Sequence, residues 1–173
     1  MKKVLFILLV SVCIPWCAWA YDVEIDGIYY NLVEKAKQAE VTYGPDGSSA
    51  YFGNIVIPES IEHNGNSYAV TSIAKNAFQS SPISSIEFSN SITSIGEQAF
   101  LCCNELVSVT IPSNVRTIGN YAFYSCQNLS SVDIQYGVTT MGYYAFAYCP
   151  SLKDVTIANS VTSIEYGTFS SCI

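Results

Sequence analysis

Basic side chains are scarce in this chain: seven lysines and arginines stand against fourteen acidic residues, a formal net charge of −7 at pH 7. The few there are lie scattered. Nucleic-acid backbones and anionic lipid surfaces both select clustered Lys and Arg, so neither is an expected partner. Histidine is nearly absent. His63 stands alone beside Asn64-Gly65, and the chain has no nucleophile elbow, no P-loop, no G-x-G-x-x-G and no H-E-x-x-H. A hydrolase triad needs a nucleophile and a carboxylate converging on a histidine; His63 reads instead as a solvated turn residue. No catalytic residue, metal site or cofactor is expected. Charge is also rare, at 12% of residues against 50% apolar, which argues against disorder.

A long hydrophobic run is missing too. A bilayer-spanning helix takes about 20 apolar residues, and the nearly unbroken apolar stretch at residues 4–12 is about half that, with Pro15 soon after. Lys2 and Lys3 precede it and Ala18-Trp19-Ala20 follows, the three-part pattern of a secretory signal peptide over residues 1–20. Cleavage would leave Tyr21 first and would remove two lysines but no acidic residue. A lipid anchor on Cys13 or Cys17 is disfavoured, because these follow Val12 and Trp16 rather than small residues. The expected location is secreted or on the cell surface, without membrane insertion after cleavage.

What the chain has in abundance is repetition. Residues 92–114 read ITSIGEQAFLCCNELVSVTIPSN, 115–137 read VRTIGNYAFYSCQNLSSVDIQYG and 138–160 read VTTMGYYAFAYCPSLKDVTIANS, a period of 23. Residues 70–91 form a copy one residue shorter, and 161–173 begin a fifth that stops midway. Phenylalanine fills one column throughout: Phe78, Phe100, Phe123, Phe146 and Phe169. Other columns hold Leu106, Leu129 and Leu152, then Val109, Val132 and Val155, then Ile111, Ile134 and Ile157. One copy buries too little apolar surface to offset about 1–2 kcal/mol of backbone entropy per residue; stacked copies share one core.

The stretch LVSVTI at 106–111 has the L-x-x-L-x-L spacing of a leucine-rich-repeat strand. Parallel stacking of such strands predicts one continuous sheet, with Val109 and Ile111 inside and Ser108 and Thr110 outside. In the other half of the copy, residues 115–118 predict a second short extended segment. Gly119 is expected to make a sharp turn, and residues 120–125 a helical or 3₁₀ turn. The fold class is therefore a leucine-rich-repeat solenoid, mostly β with short helical or 3₁₀ turns. The pattern I-x-x-I-G-x-x-A-F-x-x-C-x-x-L-x-x-V-x-I-P resembles the BspA-like family of bacterial leucine-rich repeats over residues 70–173. That resemblance implies a curved solenoid on secreted or surface proteins, often associated with adhesion. Ala74 and Glu165 depart at the glycine column, Thr168 at the alanine column and Ser81 at the cysteine column.

Residues 21–69 read as a β-rich N-terminal cap. Val23, Ile25, Ile28, Tyr30 and Leu32 flank Asp26-Gly27, a hairpin signal. Val41 to Tyr43 is a further extended piece, followed by the turn-rich stretch 44–49. Residues 54–58 (NIVIP) look like a degenerate first repeat, and Asn64-Gly65 predicts a small hairpin protruding before the first full copy. At the other end, Val161, Ile164 and Phe169 would meet solvent if nothing followed, so the natural chain is expected to continue past Ile173 or to be truncated there.

Cys103, Cys126, Cys149 and Cys172 recur every 23 residues. A one-sided ladder lacks the convergence a metal needs, and buried free thiols are expected over disulfides between rungs. Asn128-Leu129-Ser130 matches a glycosylation sequon, discarded because Leu129 is a core column. Two surfaces are candidates for binding. The outer strand face presents Ser84, Val107, Ser130 and Lys153; Ser85, Ser108, Ser131 and Asp154; and Glu87, Thr110, Asp133 and Thr156. The turns present Tyr121, Tyr124, Tyr143, Tyr144, Tyr148 and Tyr166, aromatic contact area at low entropic cost. The expected partner is an extracellular protein or glycan. The alternatives are a structural spacer in a longer surface protein and, further off, a polysaccharide-acting β-helix enzyme.

Overall fold

The computed structural model describes residues 21–45 and 51–172. The expected leader with Cys13 and Cys17, most of the turn after Gly44-Pro45, and Ile173 lie outside the described residues. The chain opens with a meander of three strands, β1 (Val23–Ile25), β2 (Ile28–Val33) and β3 (Gln38–Thr42). Asp26 and Gly27 join the first two with φ of 51° and 78°, the two positive values that a type I′ hairpin turn requires. β4 (Gly53–Val56) follows, then β5 (Ser60–His63) and β6 (Asn66–Ile73), an antiparallel pair closed by Asn64-Gly65 with φ of 50° and 73°. That hairpin forms at the turn the sequence indicated. β6 runs on past it, pairing in parallel with β3 over Ala69 to Ile73.

From there each copy contributes two strands. One series is β7 (Ile83–Glu87), β9 (Ser108–Ile111), β11 (Ser131–Ile134) and β13 (Asp154–Ile157); the other is β8 (Ser94–Ile95), β10 (Thr117–Ile118), β12 (Thr140–Met141) and β14 (Ser163–Ile164). Pairing within each series is parallel and in the register of the alignment: Val132 faces Val109 and Val155, and Ile118 faces Ile95 and Met141. The alternation also holds in β9 and β11, whereas all four residues of β13, the last of the series, are exposed, Val155 and Ile157 included. Val109 and Ile111 are buried while Ser108 and Thr110 are exposed, as a period of two demands. Asn54 to Val56 pairs in parallel with Ser85 to Glu87, which places β4 at the head of the first series.

Two expectations fail. The continuous sheet is not made by the leucine-rich strands. The meander, the β5–β6 hairpin and the two-residue strands form it, in the order β1-β2-β3-β6-β8-β10-β12-β14 with β5 on β6, whereas the leucine-rich face is split into β4-β7 and β9-β11-β13. The break falls at the shortened copy, where Ser81-Pro82-Ile83 replaces the longer Cys103-Asn104-Glu105-Leu106. There Phe88 also takes the isoleucine column, with its ring edge-on to Phe100 at 5.8 Å. Among the described residues, the backbone hydrogen bond across the gap is a long one, Val107 N–H to Ser84 O at 3.5 Å.

The second failure concerns the turns: no helix or 3₁₀ segment occurs among the described residues. Two positions per copy adopt left-handed backbone instead, Asn76 and Ser80, Gln98 and Cys102, Tyr121 and Ser125, Tyr144 and Tyr148. A left-handed residue every fourth position prevents a second helical turn, at about 1–2 kcal/mol for each. The compensation is hydrogen bonding between rungs. The N–H groups of Tyr121, Phe123 and Ser125 donate to the carbonyls of Tyr143, Ala145 and Ala147 in the next copy, at 2.7–2.9 Å.

The core is a set of columns. Phe78, Phe100, Phe123 and Phe146 are fully buried and stack with centroids 4.8–5.0 Å apart, nearly parallel. Gly119 does not serve the turn that was expected, for its φ is not positive. It sits where successive rungs touch: a Cβ there would lie 2.5 Å from the Glu97 nitrogen and 2.6 Å from the Gly96 carbonyl carbon. Gly96 is likewise confined by the backbone of the rung before, and Gly142 by the Asn120 side chain together with the backbone of Gly119 and Asn120.

Candidate functional site

The described residues contain no group of three or more His, Cys, Asp or Glu side chains placed to hold a metal, and no helix long and apolar enough to cross a membrane. His63 closes the β5–β6 hairpin, its ring nitrogen 2.9 Å from the Asn64 amide nitrogen. Among the described residues, no serine, threonine or cysteine side chain is hydrogen-bonded to it.

The cysteine column is built into the core. The described cysteines are free thiols; Cys103, Cys126 and Cys149 are buried, Cys102 and Cys172 half-buried. Each thiol of the column donates to the carbonyl of the preceding rung's phenylalanine: Cys103 to Phe78 at 3.0 Å, Cys126 to Phe100 at 3.2 Å, Cys149 to Phe123 at 3.2 Å and Cys172 to Phe146 at 3.1 Å. Burial pushes the Cys103 thiol up to about 12, away from the thiolate that nucleophilic chemistry needs. The thiols of the column thus tie each rung to the one before it.

The strand face comes together largely as its sequence columns suggest. Ser131 lies between Ser108 and Asp154, and Asp133 between Thr110 and Thr156, in one ladder. Ser85 and Glu87 are exposed on β7, beyond the break. Ser84, Val107, Ser130 and Lys153 line up at the strand entrances, joined by Ser130 N–H to Val107 O at 2.8 Å and Lys153 N–H to Ser130 O at 3.0 Å. Val107, 51% exposed, is the apolar point of that row.

The split adds a feature that the alignment does not contain. Between β7 and β9 the face opens into a cleft of about 310 Å³, within the size range of small-ligand sites. Ser85, Glu87, Ser108 and Thr110 edge it, all four on the predicted face, and Phe88 and Pro112 add apolar surface. Asn90 and Gln135, which the strand columns do not include, bring carboxamides. The one-residue deletion in the first copy was the available signal for it.

The tyrosines also gather. Tyr121 stacks on Tyr144 at 5.5 Å with planes 8° apart, Tyr124 lies 5.1 Å from Tyr148, and Tyr166 stands edge-on to Tyr144 at 5.6 Å. Tyr143, in the adjacent column, is 48% exposed, and Tyr136, on the other half of the rung, is 70% exposed. Rings packed on one another spend their faces within the strip, leaving less for stacking on a ligand.

Comparison with known proteins agrees with this architecture. The model for the BspA type Leucine rich repeat region matches residues 48–173 in six copies, a span that begins ahead of β4. Among solved structures, a leucine-rich repeat protein from Bacteroides capillosus is 28% identical with a TM-score of 0.68, the match covering 79% of this chain and 98% of that one. A leucine rich cell surface protein from Faecalibacterium prausnitzii is 27% identical with a TM-score of 0.61, covering 86% of this chain. This chain spans 45% of that protein's length. The pneumococcal vaccine antigen PcpA shares the fold at 18% identity and a TM-score of 0.56, with 83% of this chain and 47% of that one covered. No curated protein matches.

Proposed function

Since the chain belongs to the BspA-type leucine-rich repeat family, we propose that it is a non-catalytic binding protein, secreted or held at the bacterial cell surface. In this reading it is a solenoid capped by the β1–β3 meander, and it recognises an extracellular glycan or protein. One observation carries the reading: the cleft between β7 and β9, where hydroxyls, carboxamides and the Glu87 carboxylate border apolar surface on Phe88 and Pro112. Polar groups set around an apolar patch are what sugar rings and flat polar peptides require. The absence of Trp and Arg from the face suits weak contacts multiplied over many copies rather than one tight anchor. The Faecalibacterium prausnitzii relative, described as a cell surface protein, supports the location.

The test is binding of the purified protein to a glycan array and to a panel of host matrix proteins. Any ligand found is then challenged with the triple variant Glu87→Gln, Ser108→Ala, Thr110→Ala. Loss of binding is expected; undiminished binding by a folded triple variant refutes the assignment.

A further inference from the structure

A second surface lies at the opposite end from the tyrosine strip's last ring, and it is independent of the β7–β9 cleft. β4 is paired on one side only, by β7. The N–H groups of Gly53 and Ile57 point to that side, donating to Pro82 and Glu87 carbonyls at 3.0 and 2.9 Å. In a strand the direction alternates, so the N–H and C=O of Asn54 and Val56 face the other way. Among the described residues, nothing pairs with that edge. An open strand edge is a template for another extended chain.

The edge borders a cavity of about 470 Å³ walled by the β1–β2 turn, β4 and β5. Four isoleucines, Ile25, Ile28, Ile55 and Ile61, with Val56 and Pro58, supply apolar surface, while Asp26 and Glu62 are the charged residues on its wall, both acidic. No lysine, arginine or histidine lines it. Asp26 occupies a left-handed position with φ of 51°, held there by the type I′ turn.

We propose that this groove takes an extended peptide segment as an added strand on β4, apolar at its centre and bearing lysine or arginine beside the apolar residue. The backbone edge supplies hydrogen bonds without sequence preference. The isoleucine cavity takes an alternate side chain, and the two carboxylates select the charge. A neutral or acidic segment would keep the backbone bonds and lose the attraction.

The experiment is an NMR titration of the isotope-labelled protein with the synthetic peptide Lys-Val-Thr-Ile-Lys, its counterpart Glu-Val-Thr-Ile-Glu, and a backbone N-methylated form of the first. The lysine peptide is expected to shift the amides of Gly27, Asn54, Val56 and Ile61, with affinity falling as salt is added. The glutamate peptide should bind roughly tenfold more weakly or worse, and the N-methylated form not at all. Val56→Pro removes an outward N–H without touching the β7 ladder, a position where an edge strand tolerates proline, and should abolish the shifts. Val56→Thr, which keeps the N–H, should preserve them. The proposal is overturned by any of four results: no shifts at millimolar lysine peptide, shifts confined to β9, β11 and β13, equal binding of both charge forms, or shifts at Asn54 and Val56 that follow protein concentration without peptide, which would mark a second copy as the occupant. Glycan or matrix binding through the β7–β9 cleft is unaffected by Val56→Pro, so the two readings fail separately.

Discussion

Gly119→Ala tests how tightly the rungs are set. Its added Cβ would stand 2.5 and 2.6 Å from backbone atoms of Glu97 and Gly96, where carbon contacts prefer about 3.5–4.0 Å. Both neighbours belong to the peptide backbone, so no side chain can swing aside. Relief requires the two rungs to part by about 1 Å. That strains the bond from Gly119 N–H to Ile95 O, now 2.9 Å. Overpacking of this kind costs about 1–3 kcal/mol and a weakened hydrogen bond about 1 more, while stiffening the unfolded chain returns roughly 0.4–1 kcal/mol. The net is a loss of about 2 kcal/mol, or roughly 4–8 °C in melting temperature for a chain of this size. Calorimetry reads it, and hydrogen exchange should locate the loosened amides at Arg116 and Gly119, which bond across this junction. Ala74 already occupies the column where the preceding strand is β3, its N–H on Val41 O at 2.8 Å, so Ala74→Gly should cost only about 0.5–1 kcal/mol. A Gly119→Ala protein that melts at or above the wild-type temperature would refute the close-contact argument.

Ser81 holds the cysteine column without a cysteine's partner: its hydroxyl is buried and has no hydrogen bond among the described residues. Ser81→Ala should therefore raise stability, by up to about 1–3 kcal/mol of recovered desolvation, and a lower urea midpoint would contradict this. Burial raises the phenols of Tyr30 and Tyr51, the first helped by the charge of Asp26, and burial raises the Cys103 thiol to about 12. A raised folded value means the native state holds its proton more tightly, so this stability is complete below the unfolded values near 9–10 and is lost as pH climbs above them. The melting temperature should fall from about pH 9–10 upward, and Tyr30→Phe should flatten the decline; an unchanged slope would reject the assignment. In a native alkylation experiment read by peptide mass spectrometry, Cys102 and Cys172 should react before Cys103, Cys126 and Cys149, with all five modified after denaturation without reductant. A residue protected only by disulfide would show otherwise.

Much was legible because repetition turns a three-dimensional fact into a one-dimensional one. A column that recurs every 23 residues is a column in space, so Phe123 and Leu129 could be assigned to the core, and the outward run Ser108, Ser131, Asp154 to one face. Asp26-Gly27 and Asn64-Gly65 gave away their hairpins through local backbone preference alone. The turns misled for the opposite reason. A short polar stretch such as residues 120–125 satisfies helical and non-helical backbone about equally, and the choice fell to hydrogen bonds with the next rung, which no local pattern records. Gly119 looked like a turn glycine, although its lack of a side chain answers a neighbour 23 residues earlier.

By itself the sequence determined the family, the rung register, the buried columns and the two hairpin turns, since each follows from side-chain periodicity or from the backbone freedom of one or two residues. Tertiary structure alone decided which strand series runs unbroken, the left-handed path of the turns, the cleft at β7 and β9, and the open edge of β4 over its isoleucine cavity. Those depend on distances between backbones. At β7 and β9, one missing residue and one phenylalanine in place of isoleucine stand where the ladder breaks and the hydrogen bond from Val107 N–H to Ser84 O is stretched to 3.5 Å.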